Sequence, residues 1–105
     1  MKLYNKLVRD RIPEIIEANG ETPITRILDP DEYLRCLEAK LDEEVSEFHD
    51  SKDPEELADI LEVIYALAEA KGCSHQKLME IYERKHTARG GFAKRVFLTG
   101  KTKID

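Results

Sequence analysis

Along most of this chain, apolar residues recur in steps of three and four. Tyr33, Leu34, Leu37, Leu41, Val45 and Phe48 form one such series; Leu57, Ile60, Leu61, Val63, Ile64, Leu67 and Ala68 form a second. That period belongs to the amphipathic α-helix. The flanking residues supply the ends. Asp29 or Asp31 caps the first long helix, with Pro30 at its start, and the pattern runs to about His49. "DSKDP" interrupts it. Asp53 then caps a second helix, with Pro54 in its first position, which continues to Lys71 and stops at Gly72. Ser74 caps a third, "HQKLMEIYERKHTA", which ends at Gly90 and Gly91. Ahead of all three, "RIPEIIEANG" predicts a brief helix with Pro13 in its first turn and Gly20 as its stop.

Two segments leave the helical period. "TPITRILD" is β-branched and predicts a short strand over Ile24 to Leu28, and "RVFL" predicts another over residues 95–98. Two lone short strands have no stability apart, so they are expected to pair as a ribbon beside the helices. Short connections make the three long helices antiparallel neighbours. The expected architecture is therefore mostly α: an antiparallel bundle of three long helices plus a short N-terminal one, with a small two-stranded β-ribbon. Residues 1–105 are expected to form a single domain. The apolar arcs are broad for so small a chain, so oligomerisation is expected to complete the fold.

Composition narrows the class. Charged residues make up 37% of the chain and hydrophobic ones 41%, the balance of a soluble, helix-rich protein. A net charge of −5 argues against coating a nucleic-acid polymer. No apolar run approaches a membrane span, and the start lacks the apolar core of a signal peptide. Cys36 and Cys73 are far apart with no CxxC pairing, which points to a reducing cytoplasm and away from a zinc site.

The acidic residues change the picture more. Eight of the 22 fall between residues 43 and 59, in helices that also need an apolar side. A helix turns about 100° per residue, and with Leu41 at zero, Leu34, Leu37, Val45 and Phe48 lie within roughly 40° of it. Glu44 then falls at about 300°, inside the apolar arc, with Glu47 at its edge and Glu43 pointing away. On the second helix, with Leu57 at zero, Glu56 falls at about 260°, between Val63 and Leu67, and Asp59 flanks it at about 200°. Each helix thus aims one carboxylate into its own buried face and sets a second beside it. Salt bridges, or acids reaching water at a frayed helix end, would account for such residues, but Lys40 and Lys52 are too few to neutralise them. A divalent cation would do so, and Mg²⁺ is the usual one beside phosphate.

Phosphate chemistry also needs positive charge. "NKLVRD" offers Lys6 and Arg9, and "YERKHTARGGF" offers Arg84, Lys85, His86 and Arg89. Tyr82, Lys85 and Arg89 share one helix face, and the glycine pair would let backbone N–H groups approach a phosphate. A basic last turn followed by glycine is equally ordinary helix C-terminal chemistry. Asp10 orients Arg9 or caps the short helix. His49, His75 and His86 share no ligand spacing.

"EEVSE" followed by "ELAD" resembles the ExxE…ExxD signature of the MazG-like all-α nucleoside triphosphate pyrophosphohydrolases, a superfamily that includes phosphoribosyl-ATP pyrophosphohydrolases and dimeric dUTPases. "YNKLVRDRIPEII" and "RKHTARGGFAKRVFL" resemble a small single-domain branch of it, so the likeness spans nearly the whole chain. The resemblance implies Mg²⁺-dependent (or Mn²⁺-dependent) hydrolysis between the α and β phosphates, giving a nucleoside monophosphate and pyrophosphate. By position, Glu44, Glu47, Glu56 and Asp59 would be the metal ligands. Glu43 matches the extra acid of the EExxE form and is grouped with the catalytic residues. Lys6, Arg9, Lys85 and Arg89 would contact the substrate. Only eight residues separate Glu47 from Glu56, a shorter span than in many members.

The expected function is thus house-cleaning of the nucleotide pool by a cytoplasmic homodimer or higher homo-oligomer, with a nucleoside triphosphate as substrate and neither nucleic-acid polymer nor membrane as partner. A phosphoribosyl-ATP pyrophosphohydrolase of histidine biosynthesis and a non-catalytic helical regulatory module are the alternatives. The buried acids argue against the last, because a fold without turnover gains nothing from their burial.

Overall fold

A computed structural model describes residues 1–104. Their secondary structure is helical: α1 (Ile12–Ala18), α2 (Pro30–Ser51), α3 (Pro54–Ala70) and α4 (His75–Arg89). The chain divides into two compact units, Met1–Cys73 with the first three helices, and a second that begins at Ser74 and carries α4.

The helix starts follow side-chain capping. Asp29 Oδ1 accepts from the Glu32 N–H at 2.9 Å, Asp53 Oδ1 from Glu55 at 3.0 Å, and Ser74 Oγ from Lys77 at 3.1 Å. Each satisfies one of the N–H groups that a helix start leaves without a partner. Arg11 sits at the cap of α1 with no side-chain cap bond, so Asp10 does not fill that role. The α2–α3 link is only Lys52 and Asp53. Lys52 takes the left-handed region (φ 60°) and its N–H donates to Phe48 O at 2.8 Å, closing the last turn of α2. A link that short folds α3 back along α2 as an antiparallel hairpin.

The packing seam of this hairpin runs along particular sectors of each helix. Leu37 (3% exposed) and Glu44 (7%) are the buried residues of α2, and Val63 (7%) is that of α3. Ile60 and Leu67 flank Val63 half-buried, whereas Leu57, Leu61 and Ile64 stay exposed. The broad apolar arc of α3 therefore splits. One sector meets α2, and the other faces outward.

The two-stranded ribbon is not formed. Residues 24–28 and 95–98 carry no strand or bridge, and the described residues contain no sheet. Ile24, Ile27, Val96, Phe97 and Leu98 are all exposed. β-Branched residues favour extended backbone, but a strand exists only with a ladder partner. Residues 19–29 are tied down by a side-chain pair instead: Arg26 donates to both Glu32 oxygens, at 3.2 and 2.9 Å.

The position of the seam sets unequal costs for two leucines that the sequence pattern treats alike. Leu37→Ala should lose about 2–4 kcal/mol of stability in urea denaturation, the range for a buried leucine. Leu61→Ala, at a residue 44% exposed, should lose less than about 1 kcal/mol. Equal losses would mean that the two arcs are buried alike.

Candidate metal centre

Because Leu37 and Glu44 are seven residues apart, they lie nearly above one another on α2, and the apolar seam continues directly into a carboxylate. Glu56 and Val63 repeat the arrangement on α3. Near the tight turn, the seam between the two helices is therefore lined by acids.

Carboxylate oxygens of Glu44, Glu56 and Asp59 lie within 4.8 Å of one another, and so do those of Glu43, Glu44 and Glu47. Glu44 belongs to both groups. It is buried, Glu43, Glu56 and Asp59 are half-buried, and Glu47 is exposed. Two cations enter this cluster. Lys40 Nζ lies 3.4 Å from Glu44 Oε1 and 3.5 Å from Glu43 Oε1, and the Arg9 guanidinium reaches Asp59 Oδ1 at 2.5 Å. Five carboxylates thus share two counter-charges. Glu44 Oε2 is buried with no hydrogen-bond partner.

The electrostatics follow from this crowding. Burial pushes the Glu44 carboxyl above the usual carboxylate range, and the charges of Glu47 and Asp59 push it further, while Lys40 pulls it back. Glu56 is also raised, by desolvation first and then by Glu47, Asp59 and Glu44. Both residues resist ionisation because neighbouring negative charge and lost water penalise the anion. The other end of α2 shows the opposite case. The Arg26 hydrogen bond holds Glu32 down at about 2.

The remaining candidate cations are Lys6, Lys85 and Arg89. Lys6 Nζ is 5.9 Å from the Tyr4 ring centroid, and Lys2 Nζ is 5.2 Å from the same ring. Lys85 and Arg89 are exposed on α4, in the second unit. Tyr82 stacks on His86 there, with ring centroids 5.8 Å apart. Arg89, Gly90, Gly91 and Lys94 line one open concavity. His49, His75 and His86 are exposed, and Cys36 and Cys73 are half-buried and not joined in a disulfide.

Of the two partners of the acids, Lys40 was legible in the sequence, since its spacing of three and four to Glu43 and Glu44 puts the three on one side of α2. Arg9 carried no signal for this contact, because Asp59 is 50 residues away.

No protein-family model matches the chain. An uncharacterized protein of Mycolicibacterium smegmatis is 58% identical over 50 residues, which cover 46% of this chain and 51% of that protein. The match thus spans about half the length of that curated relative. No solved structure matches.

The raised carboxyls predict a sign for the pH response. A group whose folded pKa lies above its unfolded value makes the folded chain bind protons more tightly. The penalty from Glu44 and Glu56 should therefore be relieved as pH falls from neutrality through their raised values, with no further gain below the ordinary value of 4.5. Glu32 adds stability that is fully present above 4.5 and lost only as pH falls through about 2. Melting temperatures without metal should show Glu44→Gln gaining on the native chain at pH 7 and losing that advantage towards pH 4.5. An advantage independent of pH would remove the desolvated carboxylate as its cause.

Proposed function

We propose that this chain is a Mg²⁺-dependent nucleoside triphosphate pyrophosphohydrolase of the MazG-like kind, cleaving between the α and β phosphates. The observation that carries the reading is Glu44: a buried carboxylate with one unpartnered oxygen, at the point shared by two groups of converging acids. Its burial is unfavourable unless positive charge completes the site. Lys40 and Arg9 supply only part of that charge. The donor set is all oxygen, the chemistry of a hard cation such as Mg²⁺ or Mn²⁺.

In this reading Glu44, Glu47, Glu56 and Asp59 hold the cation, with Glu44 common to both groups. Glu43 stands beside them, positioned by Lys40. When bound, the cation supplies polarisation of phosphate oxygens and a more acidic water. The protein does the rest by position. The hairpin fixes the carboxylates on two rigid helices, so their convergence requires no ordering of a loop. Arg9 neutralises Asp59 in this structure, and with Asp59 holding a cation its guanidinium would be available to a substrate phosphate. Lys6, Lys85 and Arg89 serve the substrate's charge, and the Lys85 and Arg89 cations offset charge developing on the pyrophosphate leaving group.

The chemistry of such a site needs no nucleophilic side chain. A homodimer in the cytoplasm completes the proposal. Among the described residues no helix is long and apolar enough to cross a membrane.

The deciding experiment measures pyrophosphate release from a panel of nucleoside triphosphates, with phosphoribosyl-ATP included, with and without Mg²⁺. Glu44→Gln and Glu56→Gln should each abolish release and calorimetric Mg²⁺ binding while the metal-free protein stays folded at equal or higher melting temperature. Release that persists in both variants would sink the reading. A large loss of metal-free stability would make the acids structural ion pairs.

The substrate side has its own test. Lys85→Met or Arg89→Met should lower kcat/KM by the equivalent of about 2–4 kcal/mol and leave Mg²⁺ affinity unchanged. Unchanged kcat/KM in both would reduce these residues to helix C-terminal charges.

A further inference from the structure

Charge is segregated along this chain far beyond what its net value suggests. Between residues 29 and 73 there are 15 acidic and four basic residues, a net of −11 on the segment that folds into the α2–α3 hairpin. Between residues 84 and 104 there are seven basic residues and no acidic one. The basic segment also displays apolar side chains. Phe92, Val96, Phe97 and Leu98 are all largely exposed, Phe97 at 88%. A turn closed by the Arg95 N–H on Phe92 O, at 3.0 Å, gathers the first of them.

The hairpin displays the complement. Leu57, Leu61 and Ile64, spaced four and three apart, make one outward stripe on α3 that the seam with α2 leaves uncovered. α3 itself carries five acidic residues and no basic one. Two such stripes meeting face to face would bring two net −11 hairpins together, a like-charge juxtaposition that disfavours association. The basic, apolar 92–98 segment carries the opposite charge.

We propose that residues 92–98 of one chain dock on the Leu57–Leu61–Ile64 stripe of a second copy, and that the exchange is reciprocal. The area is adequate. Two phenylalanines bury about 150–250 Å² each, so with Val96 and Leu98 one tail contributes on the order of 500–700 Å². Reciprocal exchange doubles this and adds the covered stripes, which reaches the roughly 1,200–2,000 Å² of a stable interface. A twofold arrangement satisfies both tails at once and closes, leaving no free stripe for further growth. The proposal stands on exposure and charge and does not depend on the hydrolytic reading.

The test uses the full chain. Sedimentation should show a dimer that weakens with added salt. Leu61→Asp and the double variant Phe97→Ser with Leu98→Ser should each raise its dissociation constant roughly tenfold or more, with helical circular dichroism unchanged, since all three side chains are exposed. Position is settled by disulfide trapping with Cys36 and Cys73 replaced by Ser. A mixture of Leu61→Cys chains and Phe97→Cys chains, under mild oxidant, should yield mixed dimers in preference to either self-pair. Dominant Leu61→Cys self-pairs would replace the exchange by helix-on-helix packing. A native chain that is monomeric at high concentration would overturn the proposal. So would a monomer whose tail binds phosphatidylserine vesicles, which would assign the segment to a membrane surface.

Discussion

Glu44 is the residue on which the rest of the hairpin depends. It occupies the position seven residues beyond Leu37, where the packing of α2 on α3 calls for an apolar side chain. A carboxylate there loses water without recovering the full set of hydrogen bonds that water gave it. Lys40, one turn back, neutralises part of the charge and itself becomes mostly buried in doing so. The neighbouring acids then add repulsion instead of relief. The hairpin carries a local penalty at its turn end and has its apolar packing further along, at Leu37 and Val63.

That distribution is one a helical hairpin tolerates because its two ends are held by different means. At the turn, Asp53 and the left-handed Lys52 close the chain without help from the seam. At the start of α2, the Asp29 cap and the two-pronged Arg26–Glu32 pair hold the helix in place. These contacts are local and exposed, and individually modest. Together they allow the seam to contain charges that a helix pair of this length would otherwise replace with leucine. Strain confined in this way at one point is characteristic of sites built for binding, and it motivates the proposed cation.

Arg9 links the acids to a second feature, the N-terminal segment. Its ion pair with Asp59 brings residues before α1 to the first turns of α3, so the segment and the acids form parts of one unit. A guanidinium is a reversible substitute for a metal ion at a carboxylate, because it provides charge and hydrogen bonds without fixed coordination. The same residue thus neutralises Asp59 here and, in the proposed reaction, would meet substrate phosphate.

The sequence by itself determined the helices. Their caps, prolines and glycines act on the nearest turn, so Asp53 and Ser74 could be read directly as starts, and the start of α2 was narrowed to Asp29 or Asp31, of which the structure uses Asp29. It also placed Glu44 and Glu56 within apolar arcs, since a helix has only one period. Tertiary structure decided what periodicity leaves open. An arc wider than one contact does not say which sector is buried, and packing chose Val63 over Leu57 and Leu61. Residues 24–28 and 95–98 have strand-like composition, but a strand exists only where a partner completes its hydrogen bonds, and the fold supplies none in either segment. Arg9 meets Asp59 across 50 residues. Local rules cannot reach that far, because the contact exists only after the segment before α1 has been brought to α3.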